Sequence, residues 1–187
     1  MAWGIAWQII LFVLGSIGLG LVSPRSLLQL RSHGFFRFFA WEVLWGMFLL
    51  QVVNWFKDPW SWHQLISWTL LIACLGLVIE GVRLLRRIGQ RDAGRAETSL
   101  RDFEKTSRLV KTGLFRYIRH PMYSSLLLLG WGIFFKAPSW LEAGLALLCT
   151  FFLIATGRAE ERENIRYFGS EYIEYMHQTK MFIPYIL

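Results

Sequence analysis

The chain has 187 residues, 55% of them apolar and only 18% charged, with a mean hydropathy of +0.39. Soluble domains run nearer a quarter charged, so this composition excludes an ordinary soluble domain and points to a membrane protein. The net charge of +7 flanks apolar blocks and does not form a basic face, which excludes nucleic acid as the expected partner.

Residues 3–22 form the first apolar block, with no charge and enough length for about 20 helical residues across a bilayer. The block has no basic n-region or clear cleavage site, so it reads as a retained span and not as a signal peptide. Ser23-Pro24-Arg25 ends it, and a basic connector follows with Arg25, Arg31, His33 and Arg37. The second block, about 38–56, contains Glu42, which a basic group of that connector could neutralise. Lys57-Asp58-Pro59 makes a tight turn, and the third block, about 62–82, ends in Glu80, Arg83, Arg86 and Arg87. His33 and His63 fall in expected turns and read as interface residues. Cys74 and Cys149 lie inside apolar blocks without metal-ligand spacing, so neither a disulfide framework nor a metal site is expected.

Residues 83–119 are the longest polar stretch and are strongly basic, with an expected break near Gly94 and a short interfacial element. His120 precedes Pro121, and proline suits the first turn of a helix. An imidazole and the Arg119 guanidinium therefore stand at a helix start on the membrane boundary, where polar groups are costly and usually functional. The fourth block runs over 121–135. Lys136-Ala137-Pro138-Ser139 is a turn, with Ser139 placed to cap the fifth block, 140–157, which should continue as a charged helix to Phe168. Gly169 then suits a helix stop, and Ser170 with Glu171 begins a short terminal helix.

The expected fold is an all-α integral membrane bundle of about five transmembrane helices with a short cytoplasmic C-terminal helix. It forms one domain: three N-terminal spans in 1–82, a cytoplasmic connector in 83–120, and a helical hairpin with its tail in 121–187. Lys and Arg concentrate in alternate connectors, which puts the N-terminus outside and the C-terminus in the cytoplasm, in the inner membrane if the source is bacterial. The short 136–139 turn returns Glu160 and Glu161 to the side where His120 begins. Arg162, Glu163 and Arg166 read as a solvated face, and Glu80 with Arg83 as a local pair three residues apart.

Leu109-Val110, Gly113, Phe115, Arg119-His120-Pro121 and Tyr123 are followed by the hairpin, and then by Glu160-Glu161, Phe168-Gly169, Tyr172, Tyr175 and Pro184. This pattern resembles the isoprenylcysteine carboxyl methyltransferase family. More widely, it is similar to integral-membrane methyltransferases that include the phospholipid N-methyltransferases. It covers roughly the C-terminal half, and its combined spacing is specific where Arg-His-Pro alone would be weak.

The resemblance implies S-adenosylmethionine as cofactor and a lipid or lipidated acceptor at the cytoplasmic membrane face. It implies cofactor contacts from Arg108, Leu109, Val110, Phe115, His120, Pro121, Tyr123 and Glu160, and a catalytic set of Arg119, His120 and Glu161. Ser124-Ser125 stand where the family commonly has glycine. Thr156 stands where a substrate-contacting arginine is expected, leaving Arg158 as the nearby candidate for that contact. The acceptor is either an isoprenylcysteine-type carboxylate or a phospholipid amine. Membrane sterol reductases, which use NADPH, are similar in their C-terminal half, and a non-enzymatic membrane scaffold is the third alternative.

Overall fold

In a computed structural model, residues 2–23, 32–89 and 108–186 are described. The helices are α1 (Ala2–Val22), α2 (His33–Gln51), α3 (Trp62–Ile88), α4 (Pro121–Phe134), α5 (Trp140–Phe168) and α6 (Ser170–Gln178). Tight helical turns cover Val52–Asn54 and Gly113–Arg116. The expected basic connector around Arg25 and Arg31, and the break near Gly94 with its interfacial element, lie outside the described residues.

Among the described residues, four helices are long and apolar enough to cross a membrane: Gly4–Val22, His33–Asn54, Trp62–Ile88 and Trp140–Phe168. The fourth apolar block gives a shorter helix. α4 has 14 residues, which at 1.5 Å per residue is about 21 Å, less than the roughly 30 Å hydrocarbon core. Pro121 sets its start. Its last turn tightens where Phe135 N–H donates to the Trp131 and Ile133 carbonyls, and the chain turns over Lys136.

Ser139 caps α5 as the sequence anticipates, its Oγ accepting from Glu142 N–H at 3.2 Å. At the other end of α5, Gly169 has φ +62 and ψ −137, a conformation almost closed to side-chain-bearing residues, so α6 leaves in a new direction.

The core lies where α2 runs along α5. Ala40, Leu44 and Met47 pack with Ala146, Cys149 and Leu153, joined by Ile133 and Tyr123 from α4. Phe39 stacks on Phe152 with ring centroids 5.4 Å apart. Small residues carry the close approaches, as expected where lipid and side chains are equally apolar. Gly132 of α4 sits under Leu71 of α3, and Ser67 Oγ donates to Gly132 O at 2.7 Å. Bonds of that kind contribute roughly 0.6–2 kcal/mol within a bilayer.

Among the described residues, α1 meets α2 at its polar points. Gln8 donates to Leu49 O at 2.9 Å, Trp45 Nε1 to Leu11 O at 3.2 Å, and Ser16 Oγ to Glu42 at 2.6 Å. Glu42 thus takes a hydroxyl from the neighbouring helix where a basic partner was expected.

The turns at the end of the bundle remote from His120 are locked by a buried polar group. Gln64 Nε2 lies within hydrogen-bonding distance of the Asn54, Lys57 and Lys136 carbonyls at 2.9, 3.1 and 3.1 Å. Lys136 Nζ donates to Gln64 Oε1 at 3.1 Å and lies 3.4 Å from the Trp68 ring centroid.

Candidate functional site

Two distant segments of backbone build the floor of the site. Arg119 N–H donates to Lys180 O at 2.8 Å, His120 N–H to Met181 O at 3.1 Å, and Lys180 N–H to Tyr117 O at 3.1 Å. Ser124 Oγ donates to Phe182 O at 2.7 Å, so the serine next to Tyr123 anchors the returning chain. These contacts fix His120 as the residue capping α4, directly before Pro121.

The α4–α5 hairpin brings the acids to the imidazole. Trp131 Nε1 donates to Thr150 Oγ1 at 3.3 Å, and further along the hairpin Tyr123 Oη donates to Glu160 Oε2 at 2.5 Å. His120 Nε2 lies 3.5 Å from Glu161 Oε1, and its Nδ1 lies 3.9 Å from Glu160 Oε1. The buried imidazole therefore faces two carboxylates and makes no short hydrogen bond to either. Its ring stacks on Tyr123, centroids 5.4 Å apart.

Arg119 is turned inward. Its Nε donates to Glu161 Oε1 at 2.7 Å, and its Nη1 to the carbonyls of Met176 at 3.3 Å and Thr179 at 2.5 Å. A planar guanidinium is suited to such divided bonding.

A cavity opens between these groups. Leu109, Val110, Phe115, Arg119, His120, Pro121, Tyr123 and Glu160 all line it. Glu161 supports it through Arg119. Arg108 and Arg158, the other two sequence candidates, are exposed side chains that do not line the cavity. Thr156 is buried and bonds the Phe152 carbonyl of its own helix.

Leu85, Met122, Asn164, Phe168, Tyr172 and Tyr175 complete the lining and were not among the site candidates. The signal for three of them was present, since Phe168, Tyr172 and Tyr175 belong to the C-terminal motif. Burial and the nearby Glu160 push the Tyr172 phenol up, and burial does the same for Tyr175. Both stay protonated at neutral pH, and Tyr175 Oη donates to Phe115 O at 2.6 Å. Gly113, with φ +61, makes the turn that carries Phe115 under the cavity.

His33 was expected to sit in an interfacial turn. It is instead the first residue of α2, fully buried, with Nδ1 2.5 Å from Glu163 Oε2. Glu163 is correspondingly tied to α2 and does not belong to a solvated face with Arg166. Glu80 and Arg83 do form the expected local pair, 3.8 Å apart and well exposed.

The lining suits one kind of ligand. Phe115, Tyr123, Phe168 and Tyr172 offer flat faces to a heterocycle or a cation. Glu160 offers an acceptor to an ammonium, and the buried, loosely held imidazole offers a donor to a carboxylate.

Residues 65–171, more than half of the chain, match the family described as phospholipid methyltransferase. The chain is also similar to the protein-S-isoprenylcysteine O-methyltransferase of Saccharomyces cerevisiae, with 33% identity over 120 residues, 62% of this chain and 49% of the relative. It therefore spans about half the length of that curated relative. No solved structure matches.

Proposed function

Because the chain belongs to the phospholipid methyltransferase family, we propose that it is a membrane enzyme transferring a methyl group from S-adenosylmethionine to a lipid or lipidated acceptor. The observation that carries this reading is the meeting of His120 and Glu160 across one aromatic cavity at the start of α4. The reading also keeps five membrane crossings, with the short α4 counted and the site on the cytoplasmic side.

S-adenosylmethionine supplies an activated methyl group on a sulfonium, so the protein's work is to bind, align and exclude water. Glu160, oriented by Tyr123, accepts from the donor's ammonium. His120 and the N–H groups opening α4 face its carboxylate. Phe115 and Tyr172, both in the cavity lining, would offer their faces to its flat ring. Arg119 holds Glu161 and the α6 end in place and contributes position, not a ligand contact.

The acceptor we favour is an isoprenylcysteine-type carboxylate. It brings no proton to remove, which agrees with a site whose carboxylates are already engaged by Tyr123 and Arg119. A phospholipid amine is the second reading, and it needs a base. On that reading His120 would take the proton, with Glu161 3.5 Å from its Nε2 to favour the imidazolium.

Calorimetry on the full chain in detergent tests the cofactor. The wild type is expected to bind S-adenosylmethionine and not NADPH. Glu160→Ala and His120→Ala are each expected to weaken binding about tenfold or more, the loss of a charge-assisted hydrogen bond. Unchanged affinity in both variants refutes the site. Labelled methyl donor with a membrane lipid extract then identifies whether an ester or an amine product forms.

A further inference from the structure

α2 lies outside the residues that match the family, yet its first turn reaches Glu163, near the cavity-lining Glu160. Glu160 and Glu163 are one helical turn apart on α5, and so lie on neighbouring positions of one face. Glu163 is held by α2 twice over. His33 Nδ1 is 2.5 Å from Glu163 Oε2, and the His33 backbone N–H donates to Glu163 Oε1 at 3.4 Å. The start of a helix favours a carboxylate, so α2 and Glu163 cap one another across a sequence separation of 130 residues.

The imidazole is fully buried, and the residue before it, Ser32, caps the helix start, its Oγ accepting from Phe35 N–H at 3.2 Å. The charges of His33 and of Arg37, one turn further along α2, also reach Glu160.

We propose that His33 is a positioning residue for the methyl-donor site: by clamping Glu163 it fixes the α5 turn that presents Glu160 to Tyr123 and His120. The N-terminal spans then complete the site, and α2 is more than a membrane anchor. This rests on the donor-binding reading above. His33 touches neither donor nor acceptor and acts through the acids.

The test uses the full chain in detergent, with S-adenosylmethionine binding by calorimetry and the thermal midpoint measured side by side. His33→Phe keeps a ring and removes the nitrogen. It is expected to weaken donor binding about tenfold, as the loss of a hydrogen bond to a charged partner would. His33→Asn, whose amide nitrogen stands near the Nδ1 position, is expected to restore most of it. Glu163→Gln drops the charge with little change of shape and is expected to weaken binding with an unchanged midpoint.

Donor affinity equal to wild type in His33→Phe overturns the proposal. So does a loss in His33→Phe that His33→Asn fails to recover, which marks a packing role alone. If His33→Phe does not fold, Glu163→Gln decides: unchanged affinity overturns the proposal and weakened affinity supports it. A wild-type chain that binds no donor overturns the functional reading and this one with it. A wild-type chain that binds while the variants match it overturns this one alone.

Discussion

Arg119 and Glu161 form an ion pair beside the cavity, with Nε 2.7 Å from Oε1. Both are nearly buried, with side chains 9% and 8% exposed. Breaking such a pair on one side leaves a charge with no partner, which costs about 3–5 kcal/mol. Arg119→Met is therefore expected to lower stability by about that much in denaturant titrations of the detergent-solubilised chain. The double variant with Glu161→Gln should recover part of the loss, because the stranded charge is gone. His120 and Glu160 were legible in the sequence because helix-boundary signals locate them, proline after one and the end of an apolar run before the other. His33 was not, because its burial depends on a contact with Glu163 that no local pattern encodes. Arg158 is exposed and lies off the cavity, because nearness in sequence to a motif position does not bring a side chain round to the same helix face.

At the scale of elements, the hairpin of α4 and α5 is the best-encoded part of the fold. A proline start, a four-residue turn and a serine cap leave little choice of geometry, and Tyr123 meets Glu160 as a result. The length of α4 was less legible, because the turn that ends it is stabilised by residues of α3. Lys136 is buried there against Trp68 and Gln64, and burial pushes its ammonium down to about 8 from an ordinary 10.5. The Trp68 face offsets some of that penalty. Between those two values the unfolded chain holds a proton that the folded chain has released. Stability should thus rise as pH climbs from about 8 toward 10.5 and fall again on return. Thermal midpoints across that range should show the rise in wild type and lose it in Lys136→Met. A flat profile in the wild type would contradict the burial argument.

For the whole molecule, the charge pattern that suggested a cytoplasmic site makes a prediction independent of catalysis. In a chain whose Cys74 and Cys149 are replaced by alanine, a cysteine at Ser139 should label with an impermeant maleimide in intact cells. One at Glu171 should label only after the membrane is opened. Reversed labelling would put the cavity on the outer face and remove the cytosolic donor from reach. Most of the bundle was legible as apolar block lengths, while the arrangement of α1 was not. Its few polar contacts with α2 hold it, and hydropathy alone carries no information about which neighbour a span chooses.

The pairing of Arg119 and His120 with Lys180 and Met181 ties the start of α4 to chain that follows α6. Truncation after Phe168 would leave intact every long helix among the described residues and still remove the brace behind His120, so insertion into a bilayer and assembly of the cavity are separable properties of this sequence.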